Sequence, residues 1–384
     1  MAYQLGRTSR VFIKEESSYG AAPTLAATDA VRHTMARLNV NPANRADIDV
    51  RTTHPSVLAS YRASRRKTGT WNVAGIFFPS GTLGVSCDHE PVLEHGLGTK
   101  KYTALATTVS ASPAPSTTVF TVASATGLAV GDAVLVACSG GLTPGKYVRW
   151  VTAIDTLALT VAPALPQAPA SGDAIKAVIN YKLASDLAKS LDVARYWDGL
   201  KYEGLGCVVD SLKFGFDANT EPTWDASGPL ATRTRPGQTE PGAFTVVGTQ
   251  PPSGLTTTLR LGAAAENMVG AEFTIANGMD LDNYNAGSSV ATGFYRKDKR
   301  KVSLTIKQLL TGTPNILDAA EAVRASDTVL VQCGDTEGKI VAVWCPSVEF
   351  SVPDDVDNIG TNEITYAATA LATAGNDEFY IAVA

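Results

Sequence analysis

PSVEFSVP, residues 346–353, sets Val348, Phe350 and Val352 on one side of an extended chain and Ser347, Glu349 and Ser351 on the other. Such period-two alternation means a strand with one face on a core and the other towards water or a neighbouring chain. Outward from it, the chain from Ala271 onward carries more short strand-like runs: FTIANGMDL (273–281), KRKVSLTIKQLL (299–310), DTVLVQC (327–333), KIVAVWC (339–345), EITYAATA (363–370) and EFYIAVA (378–384). One helix interrupts them. In TPNILDAAEAVRASD (313–327), Ile316, Leu317, Ala320 and Val323 share a stripe, Asn315 caps the start and Asp318 sits near the positive end of the dipole. The expected fold is mainly β, a sandwich or barrel with one flanking α-helix. No nucleophile–base pair lies near it, which points to assembly rather than catalysis.

The composition agrees. The chain of 384 residues has room for two ordinary domains, or for one with an insertion. Hydrophobic residues make up 45%, but charged residues only 18%, against about 25% in an average globular protein. A surface short of charge and rich in Ala, Thr, Ser and Gly fits a protein whose exterior lies against other subunits. A net charge of −5 argues against a nucleic-acid binder held by phosphate contacts. The first residues, MAYQLGRTSRVFIKEESSYG, contain no apolar run fit for a signal peptide, and no later run is long enough to span a bilayer. Cys87, Cys138, Cys207, Cys333 and Cys345 are odd in number and scattered, so they read as buried thiols of a protein made in a cytosol.

The clearest boundary lies near Thr107. ALATTVSASPAPSTT (104–118) reads as a linker that no helix or central strand tolerates. After it come short strands punctuated by Gly and Pro, with GDAV (131–134) echoed by GDAI (172–175). Residues 104–181 therefore read as a small β-barrel inserted into a host domain of residues 1–103 and 182–384, between strand-like KYTALA (101–106) and KLASDLAKSLDVARYWDG (182–199). Within the host, Asp198-Gly199 signals a hairpin. VVDSLKFGFD (208–217) puts Leu212, Phe214 and Phe216 on one face, and DHEPVLEHGLG (88–98) reads as a short helix opened by Asp88 and closed at Gly96. Residues 217–259 read as long loops with a strand at AFTVVG (243–248). Between Asn41 and Gly69 the chain is aperiodic and carries Arg45, Arg51, Arg62, Arg65, Arg66 and Lys67, a cationic loop that calls for a partner.

Motifs for chemistry fail on required residues. GGLTPGK (140–146) has phosphate-loop spacing, but Tyr147 stands where Ser or Thr must hold magnesium, so a hairpin turn is expected. DLDNYN (280–285) starts like a calcium loop but lacks the turn glycine and the closing Glu, which is Ala291; PDDVDN (353–358) reads as another acidic turn. His89 and His95 are six apart, so they cannot chelate one ion from one helix face, and His33 and His54 have no companion motif. The basic runs ASRRK (63–67) and FYRKDKRK (294–301) lack the aromatic interleaving of nucleic-acid binders apart from Tyr295. No catalytic residue, metal or cofactor is expected.

EESSYGAAPT (15–24), GLGCVVDSLKFGFD (204–217), FTIANGMDLDNY with KRKVSLTIKQLL, and the closing VEFSVPDD and TNEITYAATALATAGNDEFYIAVA together resemble the major tail tube proteins of long-tailed bacterial viruses. The resemblance covers roughly residues 5–100 and 185–384; the insertion departs from the minimal pattern. It implies a tail-tube-type β-sandwich and a hexameric ring whose inner strands join edge to edge. Rings would stack into a tube that conducts DNA at ejection, in the virion tail, after synthesis in the host cytoplasm. Expected partners are further copies of the chain and the terminator, baseplate or tip, and tape-measure proteins, with neither sequence-specific DNA binding nor membrane. The insertion would lie outside the tube, and Arg45, Arg51, Arg62, Arg65, Arg66 and Lys67 would contact the next ring. The rival reading is a carbohydrate-binding or adhesive β-module using Tyr147, Trp150 and Tyr181; a second is a hydrolase using His89 or His95.

Overall fold

The computed structural model describes residues 9–40, 45–48, 61–64, 69–187, 189–197, 200–235, 239–242, 250–262, 264–282, 288, 290–309, 327–352 and 363–384. Strands dominate. Before the only α-helix among the described residues, α1 (Glu90–Leu97), come β1 (Arg10–Glu15), β2 (Ala30–Val31), β3 (Met35–Val40), β4 (Arg45–Ile48), β5 (Tyr61–Ser64) and β6 (Gly69–Ile76). β7 (Gly98–Lys101) follows, then β8 (Ala106–Thr108), β9 (Val119–Thr121), β10 (Ala133–Cys138), β11 (Gly145–Asp155), β12 (Ala158–Ala162), β13 (Ala174–Ala177) and β14 (Ile179–Leu183). The middle of the chain forms β15 (Leu191–Trp197), β16 (Leu200–Cys207), β17 (Ser211–Asp217), β18 (Thr223–Leu230), β19 (Thr232–Thr234), β20 (Thr258–Leu261), β21 (Ala264–Glu266) and β22 (Gly270–Ala276). The last strands are β23 (Met279–Leu281), β24 (Phe294–Arg296), β25 (Lys301–Leu309), β26 (Asp327–Cys333), β27 (Val341–Phe350), β28 (Glu363–Ala370) and β29 (Tyr380–Val383). The helix expected at 313–327, with Asn315, Ile316, Leu317, Asp318, Ala320 and Val323, lies outside the described residues, as does AFTVVG.

The largest sheet runs β21-β20-β26-β27-β28-β25-β22-β17-β18-β6-β3, with β29, β14 and β7 branching from β27. β27 is its corner. KIVAVWC and PSVEFSVP, expected as two strands, form this one strand through Pro346. On one side it pairs with β29 over Val341–Trp344 and with β28 over Val348–Phe350. Pro346, which has no N–H to give, falls in the gap between those partners. Val352 lies past the strand end and is exposed, while Ser347 is buried. The two halves of the sheet pack face to face across one apolar core. Phe379 from the β29 side stacks on Phe214 of β17 (5.8 Å between centroids) and meets Phe273 of β22 edge-on (6.1 Å).

A five-stranded sheet, β19-β16-β15-β1-β2, adds Val11, Ile13, Leu191 and Val193 to the same core. Its β15–β16 hairpin closes with Trp197 opposite Leu200, as Asp198-Gly199 requires. α1 packs Val92, Leu93 and Leu97 into this core. Its caps differ from expectation: His89 is the N-cap, and Gly98, at φ +102°, ends the helix. Gly96 lies inside the helix, and a glycine is needed because a Cβ there would come within 3.0 Å of Leu212 and of Val209.

The stretch 217–259 is not all loop. β18 runs through it between β17 and β6. Its Gly228 and Pro229 disguise it, yet both fit: a Cβ on Gly228 would sit 1.9 Å from the Val208 carbonyl. Pro229 lies past the end of the β17 ladder, opposite Thr70 of β6, and its carbonyl accepts from the Val208 amide (3.1 Å). The basic segment 41–69 is likewise not wholly aperiodic, because β4 and β5 pair antiparallel with Arg45 opposite Ser64 and Asp47 opposite Arg62.

Residues 106–177 form a sheet of their own, β8-β13-β10-β11-β12-β9. A bridge between Val109 and Val122 joins its two ends, so it closes into a small barrel around Phe120, Val134, Val136, Leu159 and Ile175. Part of the expected linker, Ala106–Thr108, is thus a strand of this barrel. β14, carrying Tyr181, belongs to the large sheet, pairing with β29 and β7. β7 stops at Lys101 and leaves most of KYTALA outside any strand.

Candidate functional surfaces

The half-sheet β28-β25-β22-β17-β18-β6-β3 has one face in the core and one open. In β25 the buried residues are Val302, Leu304 and Ile306, and between them Ser303 and Thr305 face outward. β17 and β22 repeat the pattern with Lys213 and with Glu272 and Thr274. The open face is therefore a field of small hydroxylated side chains with scattered charges, several of which find a partner on the next strand. Lys213 lies 3.4 Å from Glu272, Lys307 lies 3.6 Å from Glu363, and the Asn72 amide donates to Asp225. A shallow depression of about 300 Å³ lies on it between Gly215, Thr223, Gly270 and Thr305. The chain is acidic, but this surface is close to neutral.

The other half of the sheet has no open face at its centre. Leu330, Ala342, Trp344, Tyr380 and Ala382 turn away from the core and are covered by Ala133, Leu135, Val148 and Trp150 of the small barrel. Trp150 stacks on Trp344 at 5.3 Å, and Trp344 on Tyr380 at 5.2 Å. Polar bonds ring the contact. Gln332 accepts from the Val148 amide (3.0 Å) and donates to the Lys146 carbonyl (2.9 Å), while the Trp150 indole donates to Asn180 (3.1 Å). Lys176 and Lys146 both reach Glu337, and the Lys176 hydrogen bond leads in holding that carboxyl below its usual range. The aromatics expected for a sugar-binding module are not available: Trp150 and Tyr181 are buried and Tyr147 is half-buried.

His89 does sit in a catalytic-looking line. Its Nδ1 lies 3.1 Å from Asp88, its Nε2 lies 3.6 Å from the Cys87 sulfur, and Arg32 bonds the other side of Asp88 at 2.7 Å. Burial opposes charge on Asp88, yet the bonds from His89 and Arg32 outweigh it and keep the carboxyl below its ordinary range. The ring of His89 is wedged between Phe77 (4.3 Å) and Trp224 (4.9 Å) with no exposure. Burial also pushes the Cys87 thiol well up, so the nucleophilic thiolate is suppressed. This is core packing with a satisfied imidazole. His95 faces Glu15 at 3.4 Å, and burial lowers it to about 4. His33 contacts Ser9 and the Val31 carbonyl, and His54 lies outside the described residues.

The remaining sequence candidates are structural where described. Residues 139–144 are the loop of the β10–β11 hairpin, and Lys146 is engaged with Glu337. Asp280 pairs with Lys297 (3.5 Å), and Arg300 with Glu378 (3.3 Å). No cluster of three or more His, Cys, Asp or Glu suited to a metal occurs among the described residues. All five cysteines are free and buried. Of the expected contact loop, Arg45 lies in β4 and Arg62 in β5; Arg51, Arg65, Arg66 and Lys67 lie outside the described residues, as do 283–285 and 353–358. The Trp150–Trp344 contact was missed in sequence, although the uninterrupted apolar runs IVAVWC and YIAVA were its signal.

Comparison with known families agrees with this geometry. The sequence model described as phage tail tube protein matches residues 149–370. The chain belongs to that family and is a structural subunit of a phage tail tube. The match begins inside β11 of the small barrel and ends with β28, so it takes in part of the expected insertion and leaves the first 148 residues unmatched. A search of curated proteins returns no match.

Proposed function

We propose that copies of this chain close into hexameric rings, and that stacked rings enclose a channel through which DNA passes during ejection. The observation that carries the reading is the open face of β28-β25-β22-β17-β18-β6-β3. A broad sheet face with no apolar patch and with nearly balanced, scattered charges suits the wall of a conduit. It offers phosphates no unpaired row of cations and offers bases no stacking platform. A neutral, hydroxylated wall avoids adhesion with little dependence on salt.

The small barrel lies across the core from that face. If the open face lines the channel, the small barrel of residues 106–177 decorates the exterior as an inserted unit, narrower than 104–181 because β14 belongs to the large sheet. The β4–β5 hairpin, with Arg45 and Arg62, and the neighbouring Arg51, Arg65, Arg66 and Lys67 contact the next ring in the stack. The partners are other copies and the tail proteins at the two ends and in the lumen. The chain is synthesised in the host cytoplasm, works in the virion tail, and needs neither metal nor catalysis. Electron microscopy of the purified protein tests this reading. Rings or tubes of constant bore are expected; monodisperse single subunits at high concentration would reject it.

A further inference from the structure

The free edge of the open half-sheet is β3, and a cleft of about 220 Å³ opens where β3 meets Arg195, Trp197, Tyr202 and Arg233 of the five-stranded sheet. Arg195 donates to the Ala36 carbonyl (2.9 Å) and Arg233 to the Leu38 carbonyl (2.8 Å). Two carbonyls of the edge strand are thus occupied, which blunts β3 against simple strand addition. Aromatic rings fix the guanidinium groups: Arg195 lies 4.9 Å from the Trp197 centroid, and Arg233 and Arg235 each lie 5.2 Å from that of Tyr202. Arg37, from β3 itself, completes the lining. None of these four arginines has a carboxylate partner among the described residues. Each guanidinium has five donors, so capacity remains after the backbone bonds. A pre-set, unneutralised arginine cleft in an acidic chain is built to receive carboxylates.

The opposite edge of the same half-sheet is acidic. There Glu363 begins β28, whose first residues pair only with β25, and Glu349 lies near the end of β27. Both are exposed; Glu349 has no cationic partner among the described residues, and Glu363 has only a long, exposed contact with Lys307 (3.6 Å). A head-to-tail ring must bring unlike edges of neighbouring copies together. We propose that the arginine cleft is the receiving half of the lateral contact, and that the edge of a second copy carrying Glu349 and Glu363 docks there. This rests on the ring-forming reading above. It departs from simple edge-to-edge strand pairing, because at Ala36 and Leu38 side-chain ion pairs replace backbone bonds. Protein carboxylates are favoured over DNA phosphates because the cleft sits on a sheet edge that ring closure must cover.

Charge reversal tests it. Arg37 and Arg235 make neither bond to the β3 carbonyls, so R37E/R235E should fold with an unchanged circular dichroism spectrum. R37E/R235E alone, and E349K/E363K alone, should each raise the protein concentration needed for rings by about tenfold or more, because like charges then face each other. Mixing the two variants should restore rings in which the copies alternate, because every cleft then faces an edge of opposite charge, and one chain carrying all four changes should also restore assembly. Parent-like assembly of either double variant, or failure of the folded fourfold variant to recover, overturns the proposal. If the parent forms no rings, the tube reading fails separately, and fluorescein-labelled deca-glutamate then probes the cleft. Binding that R37E/R235E weakens supports the site, and absence of binding rejects it. Binding of duplex DNA but not of deca-glutamate, lost in R37E/R235E, would identify a nucleic-acid site and overturn the assignment.

Discussion

β22 and β25 belong to the same sheet as β27 and β29, yet their sequences obey different rules. GAEFTIA and KVSLTIKQL alternate, with Phe273, Ile275, Leu304 and Ile306 inward and Glu272, Thr274, Ser303 and Thr305 outward. From Val341 to Cys345, and through all of β29, every residue is buried. The first pair has a core on one side and an open surface on the other. The second pair is covered on both sides, by the core and by the small barrel. Alternation therefore reports how many faces of a strand are covered, and a continuous apolar run marks a second partner.

The largest effect should come from breaking the second cover. Trp344→Ala removes the middle ring of the stack and should cost about 3–5 kcal/mol in urea unfolding, as large aromatic truncations in cores do. Thr274→Ala, on the open face, should change stability by no more than about 0.5 kcal/mol. Loop-closure entropy alone would let a short Gly/Ser link replace the barrel harmlessly. The buried stack changes that expectation: the deletion should aggregate unless Leu330, Trp344 and Tyr380 are made polar with it.

Asp192 sharpens the comparison from the other direction. In LDVARYW it alternates with Val193 as though outward-facing, yet it is fully buried and neither carboxyl oxygen has a hydrogen-bond partner. Burial, with Glu203 and Glu16 adding to it and Lys201 opposing, raises it from 3.8 to about 8. The folded protein then holds a proton that the unfolded chain has released between those two values. Stability should fall as pH rises through that window, by on the order of 1 kcal/mol per pH unit, and level off above it. Asp192→Asn should flatten that slope in unfolding measured at pH 5, about 7 and about 9. The smallest effect belongs to the open face. Glu272→Gln breaks an exposed pair with Lys213 and should cost only about 0.2–1 kcal/mol at low salt, and less as salt is added.

Much of this was legible in the sequence. The one-sided strands, the Asp198-Gly199 hairpin and the self-contained run of strands after Thr107 follow from local periodicity and turn chemistry. β18 was hidden because Gly228 and Pro229 look like loop residues until the close approach of Val208 and the end of the β17 ladder explain them. β27 read as two strands because the gap beside Pro346 depends on which strands lie next to it. The arginine cleft draws on β3, β15, β16 and the β19 region, so no local spacing announces it. Burial of Asp192 and docking of the barrel are likewise long-range facts, although IVAVWC carried a trace of the latter.

Site-selective thiol labelling tests the central claim most directly. The native cysteines are all buried, so Thr274→Cys and Leu142→Cys would each add one accessible thiol, the first on the open sheet face and the second on the fully exposed tip of a barrel loop. In dispersed subunits both should react with a bulky polyethylene-glycol maleimide. In assembled tubes Leu142→Cys should react as before, while Thr274→Cys should be shielded inside the channel. Equal labelling of Thr274→Cys in subunits and tubes, or shielding of Leu142→Cys instead, would contradict an open face that lines the lumen and a barrel that stands outside it.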